Sequence, residues 1–210
     1  MSKELNGRIA LVTGGNRNIG RETALALAAQ GADVVITYRA QQDTAAQTVK
    51  DLQALGVKAA ALQVDLTGTA QLPAFVERFQ AQLTAWGRDN FDILVNNAGA
   101  LRIATFDKVT EDDLDTTFAT NYKSVFFLTQ RLQGLLADNG RIVNLGSGTA
   151  RIAFGPLVSY GPLKAALQSL TLYLASFLGP RGITVNAVAP GGLDDDFNAP
   201  LFAMMPAKDY

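Results

Sequence analysis

Arg8-Ile9-Ala10-Leu11-Val12-Thr13 runs directly into Gly14-Gly15-Asn16-Arg17-Asn18-Ile19-Gly20, and that turn runs into a stretch dominated by Ala and Leu. The first run is apolar and of strand length. The second is built from Gly and Asn, the residues that tolerate tight turns, and the third is made of strong helix formers. Strand, turn and helix in that order open a βαβ unit, and the pattern repeats. After the helix over 19–30 and Gly31 come a strand over 33–38, a helix over 41–55 carrying Val49, Leu52 and Leu55 on one face, and a strand over 58–63. The helix over 69–86 has the cleanest period, with Leu72, Phe75, Val76, Phe79, Leu83 and Trp86 at helical spacing. Strands over 91–95, 140–145 and 182–188 alternate with helices over 111–137 and 157–179. Thr110 is the expected N-cap of the first of these helices, with Glu111, Asp112 and Asp113 in its first turn. Regular alternation of this kind predicts an α/β fold, a three-layer doubly wound parallel sheet of the Rossmann type, in a single domain spanning residues 1–210.

Composition narrows the chemistry. The chain has 210 residues, 48% of them hydrophobic, a net charge of −1, no Cys and no His. Disulfides, thiol nucleophiles, Cys/His zinc sites and a Ser-His-Asp triad are therefore excluded, and no metal site is expected. Proton transfer near neutral pH must use Tyr, Lys, Asp or Glu with a shifted pKa. A near-zero charge without a basic run argues against a nucleic-acid partner. No stretch of about 20 apolar residues is free of charge, and the N-terminus has no signal-peptide core, so the expected setting is the cytoplasm, with no membrane partner.

In a doubly wound sheet, ligands bind beyond the carboxyl ends of the strands. The polar and Gly-rich clusters fall there. The turn after the first strand supplies Gly14, Asn16, Arg17, Asn18, Ile19 and Gly20. It reads either as a tight βα turn or as a loop whose N–H groups, with the helix N-terminus behind them, approach a pyrophosphate. Tyr38 and Arg39 end the second strand, where an acidic residue would accept hydrogen bonds from the ribose of NAD. Arg39 and Arg17 instead suit the 2′-phosphate of NADP(H), which is favoured over NAD(H). The other reading is a pair of solvated arginines.

Tyr160 and Lys164 are spaced i, i+4 at the start of a helix, so their side chains share a face. A free Tyr titrates near 10. A neighbouring ammonium lowers that pKa and lets the pair move a proton where His usually does. Alone, one Tyr-x-x-x-Lys pair carries little weight.

Taken with its surroundings, the pair is specific. The chain resembles the classical short-chain dehydrogenase/reductases over residues 6–197. It carries Tyr160-Gly161-Pro162-Leu163-Lys164, Ser147 thirteen residues upstream, Asn96-Asn97-Ala98-Gly99 after the fourth strand, Asn121 in the next helix, Asp65 after the third strand and Pro190-Gly191 after the sixth. The flavour is that of 3-oxoacyl-thioester and general carbonyl reductases. The resemblance implies that Tyr160 donates a proton to the substrate carbonyl as hydride arrives from the nicotinamide. Lys164 would lower the Tyr pKa and bind the nicotinamide ribose, Ser147 would hydrogen-bond the substrate oxygen, and Asn121 would hold a water in a relay to Lys164. The cofactor would also be lined by Asp65, Leu66, Asn97, Ala98, Gly99, Pro190, Gly191 and Leu193, with Asn96 bracing the sheet instead.

The chain also departs from the family pattern. Asn18 stands where the family's glycine motif has its middle Gly, and Asn is the non-Gly residue best suited to a left-handed backbone. Pro162 requires the helix to start close to Tyr160. Asp195, inside Asp194-Asp195-Asp196, stands where a Thr usually contacts the nicotinamide, and that acidic loop is expected to point away from a phosphorylated cofactor. The family's seventh, C-terminal strand is expected to be missing, the chain ending at Tyr210 within the substrate-covering segment. The helix over 157–179 has Lys164 as its one charge, and the family pairs this helix and the one over 111–137 in a four-helix contact. A homodimer or homotetramer through them is expected. The activity implied is reversible NADPH-dependent reduction of a ketone or aldehyde. The alternative is a catalytically silent NADP-binding sensor or scaffold, and a nucleotide-sugar enzyme of the extended branch is disfavoured by the short chain.

Overall fold

The computed structural model describes residues 3–204. The end of the expected substrate-covering segment, residues 205–210, lies outside them. Six parallel strands form one sheet in the order β3-β2-β1-β4-β5-β6. They are β1 (Ile9–Val12), β2 (Asp33–Tyr38), β3 (Ala59–Gln63), β4 (Phe91–Asn96), β5 (Leu136–Leu145) and β6 (Thr184–Val188). The chain order reverses between β1 and β4, where Ala10, Leu11 and Val12 pair with Ile93, Leu94 and Val95. That switch point opens the cleft described below.

Helices cover both faces because successive strand residues point to opposite sides. Ile9, Leu11, Val35 and Leu94 pack on one face against α3 (Leu72–Ala85), whose Leu72, Phe75, Phe79 and Leu83 are fully buried. Phe79 meets Phe91 edge-on at 5.1 Å. Ala10, Val12, Val34, Ile36, Ile93 and Val95 pack on the other face against α1 (Asn18–Ala29) and α2 (Gln42–Ala54) through Ala24, Ala28, Ala45 and Leu52. The small Ala24 and Ala28 let α1 lie close to the sheet.

The expected helix over 111–137 is shorter and interrupted. α4 (Glu111–Phe118) starts on a capping box in which Thr110 and Asp113 satisfy each other's backbone N–H groups. A π-helical turn, Ala119–Lys123, then leads into α5 (Ser124–Leu132). The strand over 140–145 begins earlier, at Leu136, which pairs with Phe91. Arg181 explains the early stop. Its guanidinium donates to the carbonyls of Gln133 and Leu136, which ends the helix and turns the chain into the sheet. Asn139, with φ +58°, takes up the irregularity in β5.

The last long helix, α6 (Gly161–Leu178), begins one residue after Tyr160, so Pro162 falls in its first turn. A short α7 (Ala199–Phe202) follows β6.

Candidate active site

Thr13 anchors the floor of the cleft. Its hydroxyl donates to the Val95 carbonyl and accepts from the N–H groups of Asn97 and Ala98, tying the end of β1 to the end of β4. The Asn97 amide donates to the carbonyls of Thr13 and Gly14, and the Gly14 N–H donates to the Thr37 hydroxyl. A Cβ on Gly20 would overlap the Gly14 carbonyl and the Asn97 amide, so only Gly fits there. Asn18 has φ +49°, the left-handed conformation expected for it. Arg17 precedes α1 in extended conformation without capping it, and α1 has no acid in its first turn. The first N–H groups of α1 therefore offer an anion site at the edge of the cleft.

The next part of the cleft is cationic on one side. Tyr38, Arg39, Arg17, Asp65 and Leu66 all line it. Neither Arg17 nor Arg39 forms a salt bridge with a described residue. The Asp65 carboxylate accepts from the N–H and hydroxyl of Thr67. Burial opposes its charge, but the two Thr67 bonds and the nearby Arg39 hold it below the usual carboxylate range. The glycine loop and helix N-terminus together fit a dinucleotide, with Arg17 and Arg39 at one side of the cleft.

Ser147, Tyr160 and Lys164 come together deeper in the same cleft, whose volume is about 850 Å³. Ser147 Oγ accepts from Thr149 twice, from the N–H at 3.2 Å and the hydroxyl at 2.8 Å. Its own proton is left to point elsewhere, and the Ser147 hydroxyl pulls the Tyr160 phenol pKa down. Tyr160 is 8% exposed. Burial pushes its phenol up to about 12, against the pull of the Ser147 bond. Lys164 is 3% exposed, and burial pushes it down to about 8. Its Nζ donates to the Leu145 carbonyl at 2.7 Å and lies 5.4 Å from the centroid of the Tyr160 ring. From the i, i+4 spacing alone, the ammonium is expected to lower the Tyr pKa. Here Lys164 sits over the ring and on a backbone carbonyl, and desolvation dominates both groups.

Asn121 does not line the cleft. It is fully buried in the π-helical turn, where its amide donates to the carbonyls of Ala100 and Thr117 and its oxygen accepts from the Ala100 N–H. With those atoms engaged, the side chain braces the loop after β4 against the helix. Asn96 braces the sheet as expected, donating to Asn144, which in turn donates to Thr171.

Pro190, Gly191 and Leu193 line the cleft from the far side. The acidic loop does not turn away as expected, because Asp195 and Asp196 also line it. Asp195 is held there because its carboxylate accepts from the Asn198 N–H and amide, which starts the turn into α7. Several cleft residues carry no sequence signal. Thr37 and Thr149 act through hydrogen bonds, and Phe154, Leu157, Phe197 and Leu201 form an apolar wall beside Tyr160. Only Thr37, a polar residue one position before the end of an apolar strand, could have been singled out. Among the described residues no acidic cluster is placed to hold a metal ion, and no helix is long and apolar enough to cross a membrane.

A family model described as short chain dehydrogenase matches residues 8–206. The chain belongs to the short-chain dehydrogenase family of oxidoreductases. Among its relatives is a hydroxynaphthalene reductase-like protein of Metarhizium brunneum, 37% identical over 195 residues, which are 92% of this chain and 71% of the relative. A short-chain dehydrogenase from Burkholderia cenocepacia, solved in complex with NADP, is 43% identical with a TM-score of 0.86, over 92% of this chain and 78% of that one. An angucycline C-6 ketoreductase with bound NADP is 36% identical with a TM-score of 0.91, over 98% and 79% of the two chains.

Proposed function

We propose that this protein is an NADP(H)-dependent oxidoreductase that interconverts a ketone or aldehyde with its alcohol, with cofactor and catalytic sites in one domain. The observation that carries the reading is the convergence of Ser147, Tyr160 and Lys164 in the same cleft as the glycine loop and the two arginines. Support comes from the NADP bound in two of the similar structures and from the reductase names of several relatives.

When bound, the cofactor supplies hydride to the carbonyl carbon, and one proton completes the alcohol while NADPH becomes NADP+. The glycine loop and the N-terminus of α1 would hold its phosphates, and Arg17 and Arg39 would bind the 2′-phosphate. Ser147, its acceptor positions taken by Thr149, donates to the substrate oxygen. Tyr160 then gives its proton to that oxygen. A phenol pushed up to about 12 stays protonated through the neutral range, as a donor must. The Lys164 ammonium stabilises the phenolate left behind, so the Tyr160 oxygen need not be anionic beforehand.

Assembly belongs to the same proposal. Leu172, Tyr173 and Phe177 on the outer face of α6 are 72%, 74% and 67% exposed, and Leu114, Phe118 and Phe126 are exposed on α4 and α5. A second copy of this chain is the proposed cover for this face, giving a homodimer or homotetramer.

Tyr160→Phe is the decisive test. It should bind NADPH with an unchanged dissociation constant and lose turnover across a panel of ketones. Turnover at the parent rate would refute the role of Tyr160. NADPH binding without consumption by the parent protein would establish the silent sensor instead. NADH bound more tightly than NADPH would refute the reading of Arg17 and Arg39.

A further inference from the structure

The half of the cleft beyond Tyr160 has its own chemistry. Leu157, Tyr160 and Leu201 are buried together, with Leu101, Ile103, Phe154 and Phe197 packed partly buried around them. Three separate segments build this wall. The loop after β4 brings Leu101 and Ile103, held by the hydrogen bond from the Ala104 N–H to the Pro156 carbonyl. The loop before α6 brings Phe154. The segment after β6 brings Phe197 and Leu201. Leu201 is 9% exposed although it sits on a helix of one turn, so its side chain pins α7 down over the cleft. The Phe197 ring lies 6.3 Å from that of Tyr160, centroid to centroid, with the planes inclined at 56°. Partly buried rings and aliphatic side chains around a proton donor offer apolar area to an occupant that is flat and apolar itself.

Charge points the same way. Arg102 lines this half, but its guanidinium lies 3.6 Å from the Asp113 carboxylate and is half exposed. Arg17 and Arg39 serve the opposite end. Asp195 and Asp196 line the cleft too, Asp195 on the side of Asn18 and Ile19. A substrate carrying a carboxylate or phosphate would find Arg102 already beside Asp113 and Lys164 buried on the Leu145 carbonyl.

We propose that the substrate is an uncharged ketone carried on a ring-bearing, preferably aromatic, apolar body, seated between Phe154, Leu157, Phe197 and Leu201 with its carbonyl at Ser147 and Tyr160. This deepens the proposed function and rests on it. It separates this protein from reductases of 2-oxo acids and of carrier-bound or coenzyme-A thioesters, whose substrates are anionic.

The test compares kcat/KM with NADPH for a neutral bicyclic aryl ketone (1-tetralone), a small aliphatic ketone (butanone), a 2-oxo acid (2-oxobutyrate) and acetoacetyl-coenzyme A. The aryl ketone should lead the others by at least about tenfold, the worth of a modest apolar contact difference in a binding pocket. Phe197→Ala should raise KM for 1-tetralone about tenfold and leave KM for butanone within about twofold, and Phe197→Leu should recover most of the loss. Equal or better turnover of butanone, the oxo acid or the thioester would overturn the inference, as would an unchanged 1-tetralone KM in Phe197→Ala. Direct binding of 1-tetralone to the NADP+ complex of the parent and of Phe197→Ala separates the two readings. If nothing is reduced but 1-tetralone binds in a Phe197-dependent way, the reductase reading fails and the pocket assignment stands. If 1-tetralone neither binds nor reacts, the pocket assignment fails.

Discussion

Replacing Lys164 with Met should make the ligand-free protein more stable at pH 7 while abolishing its chemistry. Lys164 is 3% exposed, and its pKa falls from 10.5 to about 8 because burial disfavours the ammonium. Each tenfold loss of proton affinity is worth ~1.36 kcal/mol, so the folded state carries a penalty of about 3 kcal/mol for holding the charged form. The sign follows from linkage. The unfolded lysine binds its proton below pH 10.5 and the folded one only below about 8. Between those values the unfolded state holds more protons, so stability rises with pH. Below about 8 the full penalty is present. Methionine has similar length, no charge and the flexibility to fill the site. Against its gain stands the lost hydrogen bond to the Leu145 carbonyl, about 1–2 kcal/mol. The net expectation is a mutant ahead by about 1–2 kcal/mol at pH 7 and behind by a similar amount above pH 10.5, the order reversing in between. The assay is urea unfolding of both proteins, without cofactor, from about pH 7 to 11. In thermal melts the gap should move by about 6–12 °C across that range, at ~2–4 °C per kcal/mol for a chain of this size. A mutant that is less stable at pH 7 by the same margin as at pH 10.5 would refute the reasoning, since no desolvated charge would then be present.

Thr149→Val should lower kcat about tenfold, the low end for a group that orients a catalytic donor, with the NADPH dissociation constant unchanged, because Ser147 would no longer accept the Thr149 hydroxyl. Thr149→Ser should retain kcat within about twofold, and full activity in the Val variant would remove Thr149 from the machinery. In the reductive direction kcat/KM should be level through the neutral range and fall above about pH 8 as Lys164 loses its proton, Tyr160 remaining protonated to about 12. The limb should move up in Lys164→Arg if that variant turns over, and a level profile to about pH 10 in the parent would contradict the assignment. Asp92→Ala should cost about 2–3 kcal/mol by urea unfolding, since Asp92 is buried, accepts from the Ile9 N–H and pairs with Arg8 and Arg88, while NADPH affinity stays unchanged because these groups lie at the opposite end of the sheet.

The fold is legible in the sequence wherever one segment carries its own signal. Strands such as Asp33–Tyr38 stand out as apolar runs between Gly-closed helices, and Asn18 can be assigned a left-handed backbone from residue type alone. Legibility fails where a distant residue decides. Leu135 and Leu136 continue an apolar helical pattern, and it is Arg181, far along the chain, that takes the carbonyls of Gln133 and Leu136 and turns the chain into β5. The π-helical turn around Asn121 is likewise set by the loop it braces. In the site, the residues that follow strands can be placed because topology gathers strand ends at one edge. Phe154, Phe197 and Leu201 cannot, because their loops meet only in three dimensions. Asp195 eludes sequence reasoning although its partner is local: hydrogen bonds from Asn198, three residues on, compensate a charge that looks unpaired along the chain.

The absence of His from the whole chain connects these observations. Without imidazole, a proton donor for neutral pH must be a group whose ordinary pKa lies far from neutrality, and the cleft leaves it there. Burial raises Tyr160, which keeps the donor loaded, and lowers Lys164 to about 8, which brings a second group near working pH. The same desolvation makes the catalytic end of the sheet costly to fold, so the compensating stability must lie elsewhere. It is found in groups with little exposure to the cleft: the Asn96, Asn144 and Thr171 chain beneath it, the Thr13 knot joining β1 to β4, and the Asp92 cluster at the far end. A desolvated pair of ionisable groups is thus carried on a scaffold braced by hydrogen-bonded polar groups away from it, although the side-chain oxygens of Asn96, Thr120 and Ser159 are buried without partners. That division is why the stability and activity of Lys164→Met should move in opposite directions while those of Asp92→Ala should separate.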